Sequence, residues 1–430
     1  MTTQQRSPGE AGDQSEEPSA GRLRVLLLTT RDIGERTTGR IVVLRTHVEA
    51  LTALGADVTV AVVSPDSPGD NAWIRRLRTE HVRSPRLVSV AANAVRALAR
   101  GDRSLNECLF VDRWVRRRVA ALVEELAPDL VVVDSLRLSS AVDDVPVPVV
   151  VDLDDLLSIR YTRLRTTARE DPVAVLGFAA ARVPAPLRGP LARVVIRLLG
   201  WEARRTAARE LAVCASATAV SLVSRHEADL LEQRAGREVT WLPPAVPVPD
   251  QPAEQREGLV FLGGLDYLPN LQALRLYRDE VLPGLDPADP RHVLHVIGHC
   301  PDAARAELDV PGIVLHGYVD DLHEALGRTA LVAPLLPGGV KLKVLDGMAH
   351  GLPVLGTPGA FEGLGFPADV QLQAESSAAL AALVREVAAD PARCRAVGLR
   401  AREAVATSFS ADAATQRWAD LLDSLGAARA

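Results

Sequence analysis

Cysteine is scarce and scattered: Cys108, Cys214, Cys300 and Cys394 stand far apart, with no CxxC pair among them. No His cluster accompanies them at metal-ligand spacing, so neither a disulfide framework nor a zinc site is indicated, and a reducing compartment fits best. Aromatic residues make up only 3% of the chain and methionine only 2 positions. No run approaches the roughly 20 apolar residues that a membrane-spanning helix needs. Residues 1–20, MTTQQRSPGEAGDQSEEPSA, lack the apolar core of a signal peptide, so export by that route is not expected. The reading is a cytoplasmic protein. The same opening segment is too polar to bury a face, and residues 1–21 are expected to form a disordered tail.

What remains is ordinary globular composition, 47% hydrophobic and 24% charged, over 430 residues. That length exceeds one typical core of roughly 100 to 200 residues and suits two domains. LRVLLLTT from Leu23 reads as a buried parallel strand, followed by a Gly-containing loop, a helix near Ile41–Leu54, and a second strand, DVTVAVV. DLVVVD, VPVVVDL and ATAVSLVS are later strands, and their alternation with helices predicts a doubly wound sheet. Proline becomes dense in LPPAVPVPDQP, which marks 242–252 as a linker. A second strand–helix series follows, so the expected architecture is two Rossmann-like α/β domains, 22–241 and 253–408. A last helical segment, 409–430, is apolar on one face and suited to packing back on the first domain.

The segment Ala333–Phe366, APLLPGGVKLKVLDGMAHGLPVLGTPGAFEGLGF, carries the chemistry. It reads strand, Gly-Gly loop, helix, strand, Gly-rich loop. Gly338 and Gly339 let a ligand approach the backbone, and the following helix aims its free N–H groups and positive dipole end at whatever sits there, so an anion is expected. On that helix Lys343, Asp346, Gly347 and His350 recur at i, i+3, i+4 and i+7 and are expected to border one cleft. The simplest structural alternative is a surface Lys343–Asp346 pair worth a few tenths of a kcal/mol, with the glycines serving turns.

The order and spacing of these elements resemble the donor-binding region of glycosyltransferase family 4, retaining transferases of the GT-B fold. The similarity extends to FLGGLDYLPN, LHVIG and LHGYVDDL in the second half, and more thinly to LVSRHEADLL and VDLDDLLSIRY in the first. The resemblance implies hexosyl transfer from a nucleoside-diphosphate sugar, with no cofactor beyond that co-substrate. By it, Lys341 and Lys343 serve catalysis and contact the donor diphosphate, Asp346 the ribose, and Tyr318 and Val319 the base edge. Gly263, Gly264, Gly298, Gly338, Gly339, Glu362 and Gly363 complete the donor site. Two departures stand out. Where many members carry a Glu-x7-Glu pair, this chain has Gly338 and the shorter Asp346, and FLGGLDYLPN lacks the Arg and Lys that many members place after that strand.

In the first half, Asp32, Gly34, Gly39, Arg40, Asp134, Asp155 and Arg160 fall at carboxyl strand ends, where ligands of open α/β sheets bind, and are acceptor-side candidates. As plain structure, the aspartates would be helix caps and Arg160 a solvated charge. The expected acceptor is a small molecule, a lipid-linked sugar or a saccharide. No DxD motif stands on a donor-side loop, so no metal is expected. Two stretches are strongly basic, Trp73–Arg118 and Val173–Arg209, the second interleaved with apolar runs as an interfacial segment would be. Peripheral contact with the inner membrane face is one expectation from them and a packed insert the other. Nucleic acid is not expected, because no binding motif or aromatic interleaving accompanies the arginines. A GT-B-related epimerase or phosphorylase, or a non-catalytic nucleotide-sugar-binding subunit, are the competing functions.

Overall fold

A computed structural model describes residues 21–34, 38–69, 73–101, 103–170 and 184–426. The expected tail to residue 20 and the start of the second basic stretch, 173–183, lie outside the described residues.

Seven strands form the first sheet: β1 (Arg24–Thr29), β2 (Asp57–Ser64), β3 (Arg78–Arg83), β4 (Leu130–Asp134), β5 (Val149–Asp152), β6 (Ala219–Leu222) and β7 (Thr240–Trp241). Six form the second: β8 (Leu259–Leu262), β9 (Leu294–Ile297), β10 (Ile313–Gly317), β11 (Ala330–Ala333), β12 (Val354–Gly356) and β13 (Leu372–Gln373). The strand orders are β3-β2-β1-β4-β5-β6-β7 and β10-β9-β8-β11-β12-β13. Every pairing is parallel, as between β1 and β4 or β8 and β11. Parallel strands covered on both faces need continuous apolar runs, which is why VLLL in β1 and LVVV in β4 are almost wholly buried. The apolar-run reading passes over three strands. β3, RTEHVR, is a charged edge strand with one fully buried residue, and β7 and β13 are two residues long.

In each sheet the strand order reverses beside the first strand, so the carboxyl ends of β1 and β4, and of β8 and β11, flank a crevice where ligands of this architecture bind. The two sheets therefore carry equivalent crevices, filled very differently.

The chain crosses between the domains twice. Val246 N–H donates to Phe409 O at 2.8 Å where the crossings run side by side. The final helix, Ala411–Ser424, then packs on the helix Gly39–Ala53 and puts Ala414, Trp418, Leu421 and Leu422 into the same buried cluster as Val25, Leu27, Leu44 and Val60 of the first domain. Helices of the first domain also meet a loop of the second across the cleft: Arg225 N–H donates to Gly363 O at 3.0 Å, and Arg163 pairs with Glu362.

Candidate active site

In the second domain the crevice is lined by the loop after β8, with Gly263 and Gly264, and the loop after β11, with Gly338, Gly339 and Lys341. Gly263 N–H donates to Ile297 O at 2.8 Å, and this pins the β8 loop so close to the end of β9 that a Cβ at Gly298 would stand 2.5 Å from the Gly263 carbonyl carbon. Gly298 is thus a packing requirement that lets the β8 loop lie flat beside the crevice. Gly338 and Gly339 take φ values of +136° and +64°, which a residue with Cβ rarely adopts. Their loop turns so that Gly338 N–H donates to Glu362 Oε2 at 2.6 Å.

The helix Leu342–Ala349 begins directly after Lys341 and buries Val344, Leu345 and Met348. Lys343, in its first turn, reaches across the crevice: its Nζ donates to Asn270 Oδ1 at 2.6 Å and stands 4.6 Å from the centre of the Phe261 ring. Asn270 is fixed in turn by donating to Gly264 O at 2.7 Å. Burial, reinforced by the charge of Lys341, pushes the Lys343 ammonium down to about 7. Lys341 curls back, donating to the carbonyls of Gly338 and of Gly339, the latter at 3.1 Å. Burial pushes it down to about 8, with Glu362 opposing and Arg163 adding to the fall. Burial alone pushes the Asp346 carboxyl up to about 6. Two cations and a carboxylate are therefore held half-dry, and among the described residues no carboxylate pairs with Lys343.

Tyr318, 83% exposed, and the partly buried Val319 follow β10 at the outer end of the sheet. Glu362 and Gly363 bridge the domains, since Arg163 donates to Glu362 Oε2 at 3.3 Å from Nη1 and also binds Oε1 through Nη2. Two of the residues expected on one helical face do not border the crevice. Gly347 is buried, and a Cβ there would stand 2.8 Å from Leu331 Cδ1, so its missing side chain lets the helix seat on β11. His350 is buried, its Nδ1–H donating to Asp346 O at 2.7 Å, with its ring 5.3 Å from that of His323.

The first-domain crevice is closed by side chains. Arg40 Nε donates to Asp134 Oδ1 at 2.8 Å, Nη2 to Asp152 Oδ2 at 2.8 Å and Nη1 to Asp154 Oδ1 at 3.1 Å. Thr29 donates to the other Asp134 oxygen at 2.6 Å. Trp418 Nε1–H donates to His47 Nδ1 at 3.2 Å, which leaves the imidazole proton on Nε2, 2.9 Å from Asp152 Oδ2. Against the desolvation of full burial, Arg40 and His47 hold the Asp152 carboxyl well below the usual range. Asp154 moves the other way, up to about 6, through burial and the nearby carboxylates of Asp155, Asp152 and Asp134. It sits at φ +67° and keeps 28% side-chain exposure, the only member of the cluster with appreciable access.

The remaining acceptor-side candidates have structural partners. Asp32 accepts from Gly34 N–H and Gly69 N–H at 2.8 Å each, and Asp155 pairs with the half-exposed Arg160. Gly39 opens its helix facing Leu342 of the other domain, whose Cδ1 would lie 3.9 Å from a Cβ there. Sequence reasoning assigned no role to Phe261, Asn270, Arg163, His47 or Trp418, and it read Asp154, in the D-x-D of VDLDDL, as structural or acceptor-facing. Phe261 and Asn270 lay in view inside FLGGLDYLPN, but only the fold shows Lys343 between them.

Residues 256–390 match the family model for glycosyl transferases group 1. Among solved structures the chain is similar to the sucrose-phosphate synthase of Thermosynechococcus elongatus, at TM-score 0.64 and 16% identity over 95% of this chain and 100% of that one. It is also similar to Anabaena HepE in complex with UDP, at TM-score 0.61 and 12% identity over 94% and 100%. The lipopolysaccharide outer core galactosyltransferase WaaB follows at 0.59 and 10% over 94% and 99%. No curated protein matches the chain in sequence. Identities this low speak for the fold: two parallel-sheet Rossmann-like domains in the GT-B arrangement, the second bearing a group 1 glycosyl transferase segment.

Proposed function

We propose that this chain is a retaining glycosyltransferase that moves a hexosyl group from a nucleoside-diphosphate sugar to an acceptor hydroxyl without a metal ion. The observation that carries the proposal is Lys343, a largely buried cation in the first turn of a helix, with Asn270 and Phe261 as neighbours and, among the described residues, no carboxylate paired with it. An unpaired charge out of water is costly unless a counter-ion arrives. A diphosphate lying between the Gly263–Gly264 loop and the Leu342–Ala349 helix would supply that counter-ion. Asp346, one turn further along, is proposed for the ribose hydroxyls, and Tyr318 and Val319 for the base. The UDP complex of HepE and a complex of the same protein with UDP-glucose support a nucleotide-sugar donor.

In the reaction the bond between the sugar's anomeric carbon and the β-phosphate oxygen breaks, and negative charge grows on that oxygen. Lys341, Lys343 and the helix N–H groups stabilise it, an effect worth several kcal/mol in a site shielded from water. The acceptor hydroxyl attacks from the same face and passes its proton to the departing phosphate oxygen. Asp134 and Asp152 are poor bases for the opposite face because Arg40 already holds both.

Product analysis tests this reading. A nucleotide-sugar panel should yield one donor that is turned over, in EDTA as fast as without it, and NMR of the first product should show the donor's anomeric configuration retained. Inversion would overturn the stereochemical assignment and point to Asp154 or Asp155. Loss of rate in EDTA with recovery on added Mg²⁺ or Mn²⁺ would overturn metal independence. Nucleotide binding with no turnover of any donor would favour a binding subunit.

A further inference from the structure

The first domain holds an arginine-lined cavity that the proposed reaction does not use. It lies between the helix Leu87–Arg100 and the start of the helix Arg113–Leu126, measures about 230 Å³, and is lined by Arg96, Arg100, Arg103, Arg113 and Arg116 around Asp112. That is far above the roughly 15 Å³ that one water molecule requires. Asp112 is committed as a helix cap, its Oδ1 accepting from Trp114 N–H at 2.9 Å and Val115 N–H at 3.0 Å. Arg116 is paired with Asp143 at 3.2 Å and Asp144 at 3.0 Å. Arg103 also feels the Asp143 carboxylate, and among the described residues no carboxylate forms a salt bridge with Arg96, Arg100 or Arg113. Five arginines against the one lining carboxylate of Asp112 leave the cavity positive, and the like charges repel one another unless a further anion sits among them.

The walls of that cavity are continuous with apolar surface. Ser89, Asn93, Arg96 and Arg100, at i, i+4, i+7 and i+11, form the polar stripe of the first helix, anchored where Asn93 Nδ2 donates to Val111 O at 3.0 Å. The opposite stripe is apolar and open: Leu87 is 87% exposed and Val88 82%, with Val95 and Leu98 continuing it. The helix Ala185–Ser216 repeats the arrangement, exposing Leu187, Leu191, Val194 and Leu198 at i, i+4, i+7 and i+11. It is tied to the cavity's rim, since Arg205 Nε donates to Arg103 O at 3.2 Å and Glu202 accepts from Leu105 N–H and Asn106 N–H at 3.1 Å each. Residues 86–101 and 184–201 each contain three arginines and no acidic residue. Outward apolar stripes flanked only by positive charge match the interface of an anionic bilayer.

We propose that this cavity takes the phosphate of an anionic lipid headgroup while the two exposed stripes enter the bilayer interface, so that the first domain docks on a membrane surface. Among the described residues no helix is long and apolar enough to cross one, so the contact is peripheral. The proposal is independent of what the second-domain crevice binds.

Co-sedimentation of the full chain with phosphatidylcholine vesicles, with and without phosphatidylglycerol, tests it. Partitioning should rise at least about 25-fold on the anionic vesicles, at roughly fivefold for each of two or more arginines engaged. The double variant Arg96→Ser/Arg100→Ser should lose about 25-fold of it by the same arithmetic. Leu87→Ser/Val88→Ser, at two fully exposed positions, should weaken it while melting temperature and nucleotide binding stay unchanged. No preference for anionic vesicles, or partitioning that both variants leave intact, would overturn the proposal. So would calorimetric binding of inorganic phosphate, or of a single-stranded oligonucleotide, by protein that ignores the vesicles.

Discussion

The two sheets present the same crevice at the same place in their topology and use it in opposite ways. Beside β1 and β4 the buried charges of the described residues partner one another: one guanidinium serves three carboxylates, and His47 and Thr29 complete the set. Beside β8 and β11 the lysines hydrogen-bond only to amide and carbonyl oxygens among the described residues, and burial drives both toward giving up their protons although Glu362 opposes it at Lys341. A buried charge whose partner is in the chain holds the fold together. One whose partner is missing is waiting for a ligand. A cation at the crevice of a Rossmann-like half thus has a different meaning depending on what faces it.

Removing a cation from each crevice should break this comparison most visibly. Arg40→Met strands Asp134 and Asp152, each nearly inaccessible, and should destabilise the protein by about 3–5 kcal/mol in denaturant melts. If it melts like the parent protein, the first crevice is not held by its charges.

Lys343→Met should do the reverse, lowering kcat by about 10²–10³-fold, roughly 3–4 kcal/mol of transition-state stabilisation. Stability should be unchanged or higher. The Lys343 pKa is depressed in the fold, so the unfolded chain holds the proton more tightly between about pH 7 and the ordinary lysine range. Burying the charged form costs most at and below pH 7, and the gain from Met is largest there. A loss of stability with full turnover would invert the roles assigned to the two crevices.

Asp346→Asn gives a smaller effect with a distinct pH signature. Its carboxyl is raised to about 6, so the fold carries an unpaired carboxylate above that pH and sheds the penalty as pH falls through 6 toward 4. The variant should be more stable than the parent by on the order of 1–3 kcal/mol at pH 8 and equal to it at pH 4, measured by thermal melts. A gain that persists at pH 4 would mean that the amide improves packing and the charge is irrelevant.

The smallest effect concerns binding. Binding of a nucleoside diphosphate at pH 8 should take up between about one and two protons, as Lys343 and part of Lys341 recharge against the phosphates. Calorimetry in buffers of different ionisation enthalpy reads that number directly, and zero uptake at pH 8 would mean that both ammonium groups are already charged.

Much of the architecture was open to reading in the sequence because a parallel sheet demands continuous apolar runs, and LRVLLLTT or DLVVVD admit few other conformations. The charged edge strand β3 was not, because an edge can be built from residues whose surroundings alone make them a strand. At the crevice, Lys341, Lys343 and the glycines stand out because they cluster within a few residues. Arg40 was seen, but its meaning was not, since its partners arrive from the ends of β4 and β5, 94 to 114 positions away. Gly347 was misplaced for a related reason: helical spacing says which residues share a face and is silent on what lies against it.

Trp418 joins the first domain's core 371 positions after His47, the residue it touches. On the ribosome, where domains ordinarily fold as they emerge and the N-terminal one leads, this first domain would wait. Its hydrophobic cluster stays open until Ala414, Trp418, Leu421 and Leu422 have been synthesised and have folded back past the finished second domain. A nascent chain stalled anywhere before residue 411 would expose that gap, and a protein shortened by its last helix should fail first in the domain farthest from the cut.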